Sequence, residues 1–373
     1  MKVIKLFLVC AVIILAVFTL PVTVYAQDNL QDSADTIDDV LDSSSGGYLS
    51  ENGISVGDPS SITGIQPKSI IDKLVGEVKS RIQAPLKLFI TLLTVVFMAS
   101  LVNSLCMQGV SSGIGNIACI VSILISVSLL AQPVSQSFLD AKNALSSGGL
   151  FMLSYIPVMS SLMTVSGNIA TAGSYNLIVL TIAELSVQIA SGMLMPALSL
   201  CLCIGIVDSL NPSLSLSGLL SGMKKAITLV LGMIMTIFVG LLSIQSIVGS
   251  SADSLSVKTG KYLVSNLVPV IGGAVSDAYV TVRGSLGVLK SGVGTAGIVI
   301  LLMTVLPTII NLFLYRAAIW AASVAAEILS ADKLKNLLRS IQSVYGIAIS
   351  IVAAFIVMLI VSTVIVMMIG TGI

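Results

Sequence analysis

The sequence of 373 residues predicts an all-α polytopic membrane protein, with two weak parallel internal repeats carrying proline-broken or re-entrant segments behind a cleaved signal peptide. Three observations carry this prediction. Hydrophobic residues make up 56% of the chain and charged residues only 9%, against roughly a quarter in soluble domains. Mean hydropathy is +1.08 over the whole length, so most of the surface must meet lipid. Long apolar runs also recur in a similar order in the two halves, each interrupted by proline.

The first element is an address. Lys2 and Lys5 precede an apolar stretch from Leu6 to about Leu20, then Pro21 and the small-residue ending Val24-Tyr25-Ala26. This is the plan of a signal peptide over 1–26, cleaved before Gln27. An uncleaved first helix is the alternative, disfavoured because the run is short for a hydrocarbon core of about 30 Å. Residues 27–67 carry Asp28, Asp32, Asp35, Asp38, Asp39, Asp42, Glu51 and Asp58 without a single Lys or Arg. Such a stretch buries too little apolar area to offset its ordering entropy, and predicts an acidic, disordered extracytoplasmic segment. Over 68–87, Ile70, Ile71, Leu74, Val78 and Ile82 recur at helical spacing between lysines. This predicts an amphipathic helix at the membrane interface leading into the first span, or a partner-binding helix.

The multi-span domain then covers 88–373. Apolar runs fall at about 88–106, 114–131, 150–165, 176–207, 226–248, 262–275, 295–315 and 341–369. Ser154-Tyr155-Ile156-Pro157-Val158-Met159 resembles Asn266-Leu267-Val268-Pro269-Val270-Ile271. Each follows a polar stretch and precedes a small-residue loop, a long apolar run interrupted by Pro196 or Pro307, and a basic patch. Repeats at about 114–225 and 226–340, with a final span at 341–369, follow from that order. The positive-inside rule places Lys224-Lys225 and the Lys333–Arg339 cluster in the cytosol, requiring an odd number of crossings between 132 and 223. A re-entrant hairpin at 150–165 with one broken span at 176–207 satisfies this, and so do three short spans. The hairpin is preferred because Pro157 and Pro269 interrupt runs already too short to cross. Arg316 is read as the cytosolic end of its span, with Trp320 and Glu327 on a following interfacial helix.

Catalytic chemistry finds little to stand on. There is no histidine, hence neither the commonest general base nor the commonest metal ligand. No GxxxxGK[ST], HExxH or CxxC occurs, and the five cysteines lie inside apolar runs. The chain is read as not an enzyme, with no cofactor and no metal. A net charge of +1 argues against a nucleic-acid partner. Glu184, inside the 176–207 run, is the one ionisable residue read as deep in a span. It is either a pore or coupling residue or, preferred, a packing partner for a neighbouring backbone or Ser/Thr group.

From Leu241 the chain reads LLSIQS, then, from Val257, VKTGKYLVSNLVPVIGGAVSDAYVTVRGSLGVLKSGVGTAG. This stretch resembles the stage III sporulation protein AE family of endospore-forming bacteria, and the resemblance extends over about 85–369. It implies a role in the mother-cell membrane around the forespore, within a channel- or secretion-like complex. Implied partners are the other stage III sporulation A-type envelope proteins, including a separate ATPase. The resemblance brings no catalytic residues. Its most recognisable motif nominates Asn266, Pro269, Gly272, Gly273 and Asp277, whose own chemistry reads as a turn: a helix breaker, a glycine pair and a capping acid. Two functions stand against each other: a non-enzymatic platform or conduit subunit, and a self-sufficient small-solute permease using Glu184.

Overall fold

A computed structural model describes residues 75–76, 78–107, 112–210, 216–267 and 272–368, with the side chains of 103, 105–107, 112–116, 119, 246, 248–250, 252–285 and 288–289 outside the description. The signal peptide, the acidic segment, residues 68–74 and Pro269 lie outside the described residues. The described chain is helical throughout: α1 (Gln83–Met107), α2 (Ser112–Val165), α3 (Ile169–Ile189), a π-helical turn (Ala190–Leu194), α4 (Met195–Leu210), α5 (Ser217–Leu267), α6 (Gly272–Ile328) and α7 (Asp332–Met368). Six helices among these residues are long and apolar enough to cross a membrane, α3 and α4 counting as one through the π turn. Residues 78–81 are helical and bend at Ile82 into α1, so the amphipathic stretch runs directly into the first apolar helix.

The re-entrant hairpin expected at 150–165 is absent. The runs 114–131 and 150–165 belong to one 54-residue helix, α2, with Pro133 and Pro157 inside it. Proline removes one backbone donor, but a neighbouring helix or hydroxyl can re-satisfy the freed groups. Pro157 lies on the exposed side of α2, where its ring displaces no neighbouring helix. The 262–275 run is divided between the end of α5 and the start of α6. Pro307 likewise sits inside α6, which continues unbroken through Trp320 and Glu327, so no separate interfacial helix follows Arg316. At Pro196 the interruption takes a specific form. The helix widens just before it, and the Met195 amide donates to the carbonyl of Ala190, five residues back.

Helix reversals follow local chemistry. After α2, Gly167 adopts φ 84°, while the Gly167 and Asn168 amides donate to the carbonyls of Thr164 and Met163. These two bonds close a Schellman turn with glycine at the left-handed position. After α6 the same turn is built on Ser330, at φ 55°, with the Ala331 amide donating to the Ala326 carbonyl. A side chain in this region costs about 1 kcal/mol relative to glycine. Ser330→Gly is therefore expected to raise the thermal midpoint of the detergent-solubilised protein; an unchanged or lower midpoint would contradict this account of the turn.

The helix α7 is the centre of the bundle. Of its most apolar stretch 61% is buried, against 17% for α5. Gly148 of α2 lies against the Phe355 ring, and Gly294 and Gly297 of α6 against Met367 and Tyr155, so backbones approach closely where side chains are missing. The many serines and threonines are absorbed locally. The hydroxyls of Ser126, Ser137, Ser191, Ser209 and Thr363 each donate to the carbonyl four residues earlier.

Candidate functional site

Three polar places stand out in this apolar bundle. The first is a set of buried tyrosines. The Tyr345 hydroxyl of α7 donates to Ser137 Oγ of α2 at 3.3 Å, with Phe138 and Tyr315 packed against its ring. Ser362 of α7 donates to the Tyr175 hydroxyl of α3 at 3.3 Å. The Tyr155 hydroxyl is buried beside Thr363 without a hydrogen bond of ordinary geometry. Gln245, in the LLSIQS segment, is buried and donates to the Thr171 carbonyl at 3.3 Å, tying α5 to the first turn of α3. These groups pin helices to one another, and the sequence marked only the segments holding Gln245 and Tyr155, neither of them for this role.

The second place is the outer face of α3. Glu184 is exposed and accepts a 3.3 Å hydrogen bond from Gln188 Nε2, one turn on. Thr181 and Gln188 are exposed beside it, and Leu177, Leu185 and Met193 share the same outward side. At 1.5 Å per residue, Glu184 lies about 22 Å along this long apolar helix. The packing role within the chain preferred from sequence is not what the fold provides. The carboxylate points out of the bundle, and its one described side-chain hydrogen bond is to Gln188 of its own helix.

The third place is the end of the bundle where α4 finishes and α5 and α7 begin. Asp208 and Ser209 of α4, Ser217, Leu220 and Lys224 of α5, and Lys333, Asn336, Arg339 and Ser340 of α7 line a cavity of about 400 Å³. Arg339 also reaches Glu327 at 2.6 Å, and Lys335 pairs with Asp332 at 2.7 Å. A neighbouring cavity contains Arg316, Trp320 and Gly346, and shares Arg339 with the first. The sequence recognised these cations as one topological signal, but not that three helices bring them around one space.

The motif residues fall elsewhere. Asn266 is in the last turn of α5, Gly272 and Gly273 open α6, and Asp277 lies one turn further, while Pro269 is outside the described residues. Among the described residues no group of His, Cys, Asp or Glu could hold a metal ion. Cys201 is buried and Cys203 exposed, and both are free thiols.

Comparison with known proteins places the chain in a family. The family model described as stage III sporulation protein AE matches residues 59–371. The stage III sporulation protein AE of Bacillus subtilis (strain 168) is 26% identical over 162 residues, which is 43% of this chain and 41% of that relative's length. No solved structure matches. With most of its length inside the family model, and with six apolar helices to place it in a membrane, the chain belongs to the stage III sporulation protein AE family.

Proposed function

We propose that this multi-pass membrane protein is a non-enzymatic subunit, platform or conduit, of a channel- or secretion-like complex joining mother cell and forespore. It would act in the mother-cell membrane around the forespore, beside other stage III sporulation A-type envelope proteins and a separate ATPase. The observation that supports a subunit is the outward-facing Glu184. A carboxylate at membrane depth is unfavourable against lipid tails and normally faces protein or water. Here the chain leaves it on its own exterior, so its natural neighbour is another protein chain or a conduit shared with one. A self-sufficient permease would instead bury such a group inside its own helices.

The same proposal sets the orientation. The positive-inside rule puts the end bearing Lys224, Lys225, Lys333, Lys335 and Arg339 in the cytosol, with residues 27–67 on the far side after removal of 1–26. The repeats at about 114–225 and 226–340 belong to it as well. Each copy would pair one helix with its returning partner, α2 with α3–α4 and α5 with α6, before α7 closes the bundle.

The test is an affinity purification of the tagged protein from sporulating cells, with crosslinking and mild detergent. Co-recovery of an ATPase and further envelope proteins is the expected result. Recovery of the chain alone, as a monodisperse particle, would overturn the subunit reading and favour flux measurements on the permease.

A further inference from the structure

The basic cavity at the α4, α5 and α7 end is more than a topological signal. Its wall carries Lys224, Lys333 and Arg339 against one carboxylate, Asp208. Other nearby acids are already engaged, Asp332 with Lys335 and Glu327 with Arg339. Lys224 is half-buried, and no carboxylate among the described residues lies within ion-pair distance of it. On the same wall the Ser340 hydroxyl is buried without a hydrogen-bond partner. It sits against Gly205, whose missing side chain lets α7 come this close to α4.

A buried hydroxyl left unsatisfied and an ammonium left unpaired are both unfavourable, and they lie on one cavity. Water could satisfy the hydroxyl but would leave the Lys224 ammonium without a counter-ion among the described residues. An anion with several acceptor oxygens answers both. Arg339 uses one guanidinium nitrogen on Glu327 and keeps other N–H donors, and Asn336 adds an amide. Phosphate suits such a set, since it accepts from ammonium, guanidinium and hydroxyl donors together. The volume of about 400 Å³ is in the range of small-ligand sites and takes a phosphate with its attached alcohol.

We propose that this cavity binds a phosphate-bearing anion, with Lys224 and Ser340 as its principal donors. Two sources share that chemistry: the headgroup of an anionic phospholipid at the bundle end, and a free phosphate-bearing solute. Basic pockets between membrane helices on the cytosolic side are suited to the first.

The experiment uses full-length protein purified in non-ionic detergent. One arm measures retention of phosphatidylglycerol against phosphatidylcholine by native mass spectrometry. The other titrates inorganic phosphate and follows the chain's one tryptophan, Trp320, in the cavity that shares Arg339. Lys224→Ala is expected to lower binding about tenfold or more, Ser340→Ala a few-fold, and Lys224→Arg to restore most of it. Lys142→Ala, an exposed lysine on α2 outside the cavity lining, should change nothing. Selective retention of the glycerol lipid without a phosphate response identifies a headgroup site. A saturable phosphate response abolished in Lys224→Ala identifies a soluble anion. The proposal is overturned if wild type shows neither, or if Lys142→Ala loses as much as Lys224→Ala.

Discussion

Glu184→Leu is expected to lower recovery of partner-bound complex about tenfold, while the isolated chain in detergent keeps its thermal midpoint or gains a little. The asymmetry follows from where the side chain points. Its described side-chain hydrogen bond goes to Gln188, one turn away on the same exposed face, so nothing in the bundle depends on it. Leucine there suits lipid better than a carboxylate does, which favours the monomer. In a complex, the carboxylate would meet a polar group across the interface, and such contacts between membrane helices contribute about 1–2 kcal/mol in model peptides. At 1.4 kcal/mol per factor of ten, that is the expected loss. Glu184→Gln should lie between wild type and leucine, because an amide keeps the hydrogen bond and loses the charge. Size-exclusion and co-purification yields on the three proteins measure this. Unchanged recovery in Glu184→Leu, with a falling midpoint, would show that the residue serves the fold of this chain alone.

The second large effect is expected at Gly297. A Cβ built there falls on the Tyr155 ring, against Cε2 and Cζ. That ring has no room to move: Tyr155 is fully buried and stacked on Phe151 with ring centroids 5.4 Å apart. Gly297→Ala must therefore push α6 away from α2 or force the tyrosine off its rotamer, which typically costs about 1–3 kcal/mol. Gain of helix propensity from glycine to alanine, about 1 kcal/mol, offsets only part of this. Gly297→Leu should prevent a stable bundle from forming. The control is Gly240→Ala on α5, where nothing lies within 4 Å and the propensity gain stands alone. Thermal unfolding in detergent should place Gly240→Ala at or above wild type and Gly297→Ala clearly below. Equal midpoints for both alanine variants would show that α2 and α6 do not meet at this glycine.

Much of the architecture is readable in the composition and in a few local patterns. Low charge and long apolar runs suffice for a helical membrane protein, because only helices or closed barrels satisfy their backbone groups in lipid. The small-residue loop after 165 is realised as the turn on Gly167, since glycine is the residue that takes a left-handed conformation freely. Pro196 marks the real irregularity in its helix, the π turn from Ala190 to Leu194. The lysines and arginine that signalled an inner face also converge on one end of the bundle.

Other features had no local signature. Pro157 looked like a break and is carried inside α2, because whether a missing hydrogen bond bends or ends a helix depends on what packs around it. The runs at 226–248 and 341–369 are both strongly apolar, yet the first lies in the most exposed helix and the second in the central one. Lipid tails are as apolar as leucine, so hydrophobicity cannot distinguish a lipid-facing helix from a buried one. Close approach decides that, and it rests on pairs far apart in the chain, such as Gly148 with Phe355 and Gly297 with Tyr155. Sequence by itself thus determined the solvent this protein folds in and its helical character. Tertiary packing alone decided that Glu184 faces outward and that Lys224, Arg339 and Ser340 share one cavity, because direction and convergence arise only when helices distant in sequence are set side by side.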